Sequence, residues 1–414
     1  MPDWVTKPLG EVVTNHDSRR IPLSGRERET RRGPYPYYGA AGIIDYIDEP
    51  IFNGLHLLIG EDGSVVRDDG TPFAQLADGE FWVNNHAHVL RADSDTDTRF
   101  VYYAISRTNV RPWVTGAVQP KLNQRNMNQI PIPFPEPDVR SSIVHVLGSL
   151  DDKIEQNRRT ARTLERLARA IFRAWFVDFE PVKAKAAGAT SFPSMPQDVF
   201  DALPTQFVDS AIGPVPEGWN AGAISDLAAL SKTQVNPQES PGEVFDHFSI
   251  PAFDAGMRPV VEAGSTIKSN KFLVVGGCVL LSKLNPRIAR VWLPPAPRGR
   301  RQIGSTEFLV FVPTQTSGRH YLYCQFQQTA FRGELAHGAS GTSSSHQRVR
   351  PEDVLNRPVV VPPAPTREAF ASIADPLFAL GTANHDESAR LAEMRDYLLP
   401  KLLSGQARVE VAHG

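Results

Sequence analysis

Two hydrophobic patterns alternate along the chain, and each occurs twice. In the first stretch, short apolar runs at residues 43–44, 55–59 and 81–83 are separated by glycines, prolines and aspartates. That pattern predicts short strands joined by turns. A helix is expected near residues 99–107, and Pro131, Pro133, Pro135 and Pro137 close this part. The period then changes. Leu147, Leu150, Ile154, Asn157, Ala161, Leu164, Ala168, Ile171 and Trp175 fall at alternating steps of three and four, the a/d seam of a coiled coil. A connector rich in Ala, Pro, Ser and Gly follows, and the strand pattern returns at residues 272–275, 279–281 and 308–312. A helix near residues 319–330 and the prolines Pro358, Pro362, Pro363 and Pro365 lead into a looser seam of Leu377, Gly381, Asn384, Ser388, Leu391, Leu398 and Leu402.

The recurrence is an internal duplication. Trp4, Leu9, Glu11 and Val12 match Trp219, Ile224, Asp226 and Leu227 at a shift of 215. Val83, Val89, Leu90, Arg99 and Tyr103 match Ile303, Leu309, Val310, Arg319 and Tyr323 at 220. From Lys121, paired with Arg348, the shift is 227; it holds for Asn157 with Asn384, Leu164 with Leu391, Leu167 with Met394 and Ile171 with Leu398. The shift grows only inside the globular parts, as loop insertions would make it do. The predicted fold class is α+β: two similar domains of strands and short helices, each followed by a long helix, in a pseudo-two-fold repeat. The boundaries read as 1–138 for the first domain, 139–180 for its helix, 181–218 for the connector, 219–365 for the second domain and 366–406 for its helix. Asn157 and Asn384 share one seam position, where a polar residue can set register. Each helix could instead pack on its own domain; the seam in both copies favours a two-helix coil.

Composition narrows the class. With 41% hydrophobic and 22% charged residues, the chain is neither disordered nor a disulfide scaffold. Two cysteines, Cys278 and Cys324, suit a reducing compartment. No apolar run nears membrane-spanning length, and the start lacks the apolar core of a signal peptide, so a cytoplasmic protein is expected. The net charge of −2 hides an asymmetry: residues 1–140 hold 15 Lys/Arg against 19 Asp/Glu, residues 219–365 hold 15 against 10. Local cations, not totals, decide DNA binding. Arg26, Arg28, Arg31 and Arg32 form one cluster, and Arg298, Arg300 and Arg301 another; each suits a solvated loop better than a phosphate site.

Catalytic patterns are missing. There is no Gly-Lys dipeptide and hence no Walker loop, no H-E-x-x-H or C-x-x-C zinc pattern, and no G-x-S-x-G. His86 and His88 are the only close histidine pair and read as structural, so no metal site is predicted. Pro137, Asp138, Asp151 and Lys153 imitate a metal-nuclease signature. That chemistry needs acids converging on one metal, whereas Asp151 and Lys153 lie inside the heptad helix, and the second copy has Phe378 and Leu380 there. Nor is the Asn/Asp-Pro-Pro-aromatic loop of amino-group methylation present. Duplicated non-catalytic heads on helices suggest a ruler: a helix over 140–176 measures ~55 Å, more than one ~34 Å DNA turn.

These residues resemble the specificity subunit of type I restriction-modification systems. The carriers are Pro-Leu-Gly-Glu-Val-Val at 8–13, Gly-Ala-Ala-Gly-Ile-Ile-Asp at 39–45, Leu-Leu-Ile-Gly-Glu-Asp-Gly at 57–63 and Leu-Asp-Asp-Lys-Ile-Glu-Gln-Asn at 150–157. Ala-Trp-Phe-Val-Asp-Phe-Glu-Pro at 174–181, Gly-Pro-Val-Pro-Glu-Gly-Trp at 213–219 and Tyr-Leu-Leu-Pro-Lys-Leu-Leu-Ser-Gly at 397–405 complete them. The resemblance spans the chain, with variable parts at about 14–118 and 229–345. It implies two target-recognition domains reading a split double-stranded DNA target, and antiparallel helices that set the spacer and dock partners. It implies no catalysis and no cofactor in this chain. Two adenine-methylating modification subunits would use S-adenosylmethionine, and restriction subunits would use ATP and Mg. A single-chain nuclease or methyltransferase, or an orphan scaffold or antirestriction protein, are the alternatives; cleavage or methylation by the chain alone would separate the enzyme from the rest.

Candidate contacts follow from the repeat. Gln119, Lys121 and Asn123 align with His346, Arg348 and Arg350, placing a cation before each closing proline run and suited to phosphate or guanine. Ser343, Ser344, Ser345, His346 and Gln347 add donors and acceptors, and Lys283, Asn285 and Arg287 form a second candidate loop. Tyr35, Tyr37 and Tyr38 could stack or wedge near DNA, although core or surface packing accounts for them better. The interhelix seam is expected to use Leu150, Ile154, Asn157, Leu164, Ile171, Asn384, Leu391 and Leu398.

Overall fold

A computed structural model describes residues 4–116, 119–315, 317–338 and 347–407. The chain forms two compact units, Met1–Asn157 with Asp386–Gly414, and Arg158–His385. The break falls inside both long helices, Pro137–Phe176 and Ala364–Leu403. Each unit therefore holds one head and a segment of each helix. Among the described residues no helix is long and apolar enough to cross a membrane.

In the first unit, β1 (Thr6–Pro8), β2 (Thr14–Asn15), β3 (Arg32–Gly39), β4 (Gly42–Ile47), β5 (Phe52–Asn53), β6 (His56–Gly60), β7 (Ala74–Ala77), β8 (Glu80–Val83), β9 (Ala87–Arg91) and β10 (Pro131–Pro133) form three sheets. One is antiparallel in the order β2-β9-β6-β7; a second runs β4-β3-β8-β5, with β3 and β8 parallel. The third pairs β1 with β10, tying the start of the head to its end. Strand β6 is buried along its whole length, and its alternating side chains serve two cores. Leu57 and Ile59 join Leu90, Phe100 of the helix Asp95–Ile105, Ile143 and Leu147 of the first long helix, and Leu399 and Leu402 of the second. On the other face, Leu58 packs with Phe52, Phe81, Val83 and Val89.

The second unit repeats this plan. Its strands are β11 (Phe207–Val208), β12 (Val215–Pro216), β13 (Asn220–Ala223), β14 (Ala228–Ser231), β15 (Gln234–Val235), β16 (Val244–Phe248), β17 (Val260–Ala263), β18 (Lys271–Leu273), β19 (Val279–Ser282), β20 (Val291–Trp292), β21 (Arg301–Gly304), β22 (Phe308–Pro313) and β23 (Pro358–Val361). The order β14-β22-β19-β20 reproduces β2-β9-β6-β7 strand for strand. The order β15-β18-β21-β16-β17 matches the other sheet with one strand added, and its parallel pair, β16 with β21, falls at the equivalent place. The pair β13 with β23 corresponds to β1 with β10. The connector is not a bare link. Val182, Met195, Phe200 and Leu203 are buried in the core that contains Phe172, Trp175, Phe176, Trp219, Tyr321 and Phe370.

The first long helix starts on Pro137, whose missing N–H costs nothing at a helix start. It ends at Phe176, and Phe179 at φ 53° turns the chain away. In the first unit the helix segments pair antiparallel: Asp151 bonds Arg395 at 2.7 Å, and Asn157 donates to Glu387 at 2.8 Å. Lys153, inside the nuclease-like signature, lies 3.7 Å from Glu387. In the second unit Phe172, Trp175 and Phe176 pack their rings on Phe370. Of the predicted seam, Ile154 and Asn157 are buried, while Leu150, Leu164, Ile171, Asn384, Leu391 and Leu398 are half-buried. Leu167 and its repeat mate Met394 are both exposed. Arg395, where the sequence departs from an ideal seam, spans the helices as a charged group instead of a hydrophobic one.

Candidate nucleic-acid interface

In the first head, β6 ends at Gly60 and delivers Glu61 beside His86, which precedes β9. Glu61 N–H donates to the His86 carbonyl at 2.8 Å, and Leu122 N–H donates to the Glu61 carbonyl at 2.8 Å. Thr115 and Lys121 exchange backbone bonds of 2.8 and 2.7 Å. Leu122 is fully buried and anchors this segment, leaving the neighbouring Lys121 exposed, its Nζ 3.4 Å from Glu61 Oε1.

The second head builds the same frame. Lys283 N–H donates to the Glu307 carbonyl at 2.9 Å, and Val349 N–H to the Lys283 carbonyl at 3.0 Å. Val349 is buried, and the exposed Arg348 bridges to Leu284. Lys121 and Arg348 thus occupy one place in two frames, as the sequence shift of 227 demands. Asn285 N–H donates to the Gln347 carbonyl at 2.8 Å, so the two loops picked out separately in the sequence meet here. Asn285 itself sits at φ 50°, a left-handed conformation that Asn tolerates better than most residues.

The frames carry different charges. Where the first has Glu61, the second has Lys283; where the first has His86, the second has Glu307. Arg348 is held by two-pronged bonds from Nε and Nη2 to Glu307 at 3.1 Å, and that carboxylate raises the guanidinium above its ordinary pKa.

Other predicted residues take varied places. Gln119 and Arg287 are exposed, Lys283 and Gln347 half-buried. Asn123 uses its side-chain oxygen to cap the helix Gln124–Met127, accepting from Asn126 N–H at 2.9 Å. Ser344 and His346, with Ser343 and Ser345, lie outside the described residues. Tyr37 is a core residue whose hydroxyl accepts from Leu23 N–H at 2.8 Å. The arginine clusters are largely neutralised. Arg28 bonds Asp45 and Arg31 bonds Asp48, while Arg300 bonds Asp246 and Arg301 bonds Glu243.

Sequence reasoning missed a polar network under the first frame. The buried His88 bridges the Asp17 carboxylate at 2.5 Å and the Leu122 carbonyl at 2.7 Å. Arg20 bonds Glu61 at 2.8 Å and lies 3.5 Å from Asp17. Burial alone would raise the Asp17 pKa, but its bonds with His88 and Asn15 bring it below the usual value. Ligand atoms of Asp17, Glu61 and His88 lie within 4.8 Å of one another. Arg20 already compensates both carboxylates, so the cluster reads as a support for the Leu122 segment. Asp17 and His88 are 71 positions apart, and no spacing could have announced them.

The first 166 residues match the family described as type I restriction modification DNA specificity domain. A putative type I restriction enzyme specificity subunit of Haemophilus influenzae is 37% identical over 148 residues, 36% of this chain and 37% of that protein. The MjaIX specificity subunit of Methanocaldococcus jannaschii is 24% identical over 99% of this chain and 94% of its own length. The crystal structure of a type I restriction-modification S subunit from M. genitalium shares the fold at TM-score 0.58 and 13% identity, covering 97% of this chain and 96% of that one. Its first 166 residues thus match the DNA specificity domain of type I restriction-modification systems, and nearly its whole length is similar to a specificity subunit of such a system.

Proposed function

We propose that this chain is a non-catalytic DNA-recognition subunit of a type I restriction-modification system and that it reads a bipartite target, one half with each head. The paired long helices act as a coiled-coil spacer and dock two modification subunits that methylate adenine, joined by restriction subunits. The carrying observation is the frame built twice: the same strands and backbone bonds present Lys121 in one head and Arg348 in the other, while the charges around them are exchanged. A common frame with divergent side chains suits two readers of different sequences, since backbone contacts position and side chains on base edges specify. Gln119, Gln347, Lys283, Asn285 and Arg287 would supply further contacts around each cation, with Ser344 and His346 in the second head. Asn123, by capping, would shape its loop.

The test uses the assembled methyltransferase with Lys121→Ala or Arg348→Ala. Methylome sequencing first defines the target; each variant should then impair recognition of one half only, and not the same half. A lost base contact should cost about 1–3 kcal/mol and relax one position. A lost phosphate contact should weaken all sequences and lower the salt slope by about one unit. Unchanged binding for both variants at every salt concentration removes these loops from the interface.

A further inference from the structure

We propose that the carboxylate facing each frame cation, Glu307 in the second head and Glu61 in the first, is a specificity-determining residue that withholds the cation from non-cognate DNA. This rests on the reading of Lys121 and Arg348 as DNA contacts. Both cations are exposed and both are paired, Arg348 with Glu307 at 3.1 Å and Lys121 with Glu61 at 3.4 Å. The acids come from different strands. Glu61 follows β6 and its equivalent is Lys283; Glu307 precedes β22 and its equivalent is His86. Duplication alone would have left the acid on the same strand in both heads, so the pairing is not a relic of it. Fold stability does not account for the Arg348–Glu307 pair either, because a half-exposed ion pair contributes little; Glu61 has a structural tie to Arg20 besides its hold on Lys121.

Selectivity does account for it. Non-specific binding rests on cations at phosphates. An acid within bonding distance competes for the cation and repels the backbone, taxing every sequence alike. A cognate base edge with matching acceptors offers the guanidinium a bidentate alternative and recovers the loss. Arg348, gripped from two nitrogens, is the stronger case. Glu61 is shared with Arg20, so its hold on Lys121 is looser.

The experiment uses the assembled methyltransferase carrying Glu307→Gln, Arg348→Ala or both, with Glu61→Gln in parallel. It reads methylation at sites one base away from the target, and binding to a random-sequence duplex over a salt series. Glu307→Gln should raise near-cognate methylation about two- to fivefold, the factor an exposed ion pair can withhold. The rise should be confined to mismatches in one half, accompany tighter random-duplex binding, and vanish in the double variant. Glu61→Gln should give a smaller rise confined to the other half. If Arg348→Ala impairs one half while Glu307→Gln leaves near-cognate methylation unchanged, the contact stands and this proposal fails. A rise spread over both halves overturns it as well. If Arg348→Ala and Glu307→Gln are both silent, the contact reading fails and the proposal with it.

Discussion

Asp151 offers a sharp test of how the head is fastened to the helices. In the first unit Tyr103, 2% exposed, donates its hydroxyl to Asp151 Oδ2 at 2.7 Å, and Arg395 Nη1 donates to Oδ1 at 2.7 Å. Burial first, then the adjacent carboxylate, raises the Tyr103 pKa well above its ordinary value, so the phenol stays a donor. Asp151→Ala strands that hydroxyl, at about 1–3 kcal/mol for a buried donor left unsatisfied. Losing the partly exposed pair with Arg395 adds about 0.2–1 kcal/mol after solvent screening. The expected loss is therefore about 1–4 kcal/mol. Tyr103→Phe leaves Asp151 with Arg395 and should cost only about 0.5–1.5 kcal/mol. The double variant should cost less than the two singles together, by roughly 0.5–3 kcal/mol. Because the chain has two units and a single unfolding midpoint is ill-defined, the assay is hydrogen exchange read on peptides covering residues 140–157 and 388–403. Additivity within about 0.5 kcal/mol would refute the argument, because it would mean that the hydroxyl and carboxylate do not act as a unit.

The remaining predictions concern pH and spacing. His56 is buried among the rings of His16, Phe52 and Phe81, and burial lowers its pKa from 6.5. The folded chain thus takes up this proton at lower pH than the unfolded one, so the contribution is complete above about pH 6.5 and is lost as pH falls through the depressed value. Burial likewise lowers His320. His56→Gln should shrink the loss of stability between about pH 7.5 and about pH 5.5, read by hydrogen exchange on peptides of the first head after correction for the intrinsic exchange rate; an undiminished loss would show that His56 is not its source. For spacing, inserting four residues into both long helices, after Asn157 and after His385, keeps the helix pairing of each unit. It adds ~6 Å of helix and should lengthen the non-specific spacer by about two base pairs at ~3.4 Å each with both half-sites unchanged. Altered half-sites with a constant spacer would contradict the ruler.

Much of the architecture was legible in the sequence because it was local or repeated. The short runs at 55–59, 81–83, 279–281 and 308–312 became β6, β8, β19 and β22, since alternation and turn residues act within a few positions. The switch to a three-four period announces both long helices, and the constant shift of 227 puts Lys121 and Arg348 at equivalent positions of the repeat. What the sequence could not determine is every pairing that spans the chain. That Leu399 and Leu402, at its far end, complete the core built on Leu57 and Leu90 leaves no trace in periodicity, which reports that a face is apolar but not what covers it. The same holds for His88 reaching Asp17 and Leu122 and for Glu307 closing on Arg348. Hydrogen bonds and ion pairs depend on where folding brings two side chains together, and only the tertiary structure decided that.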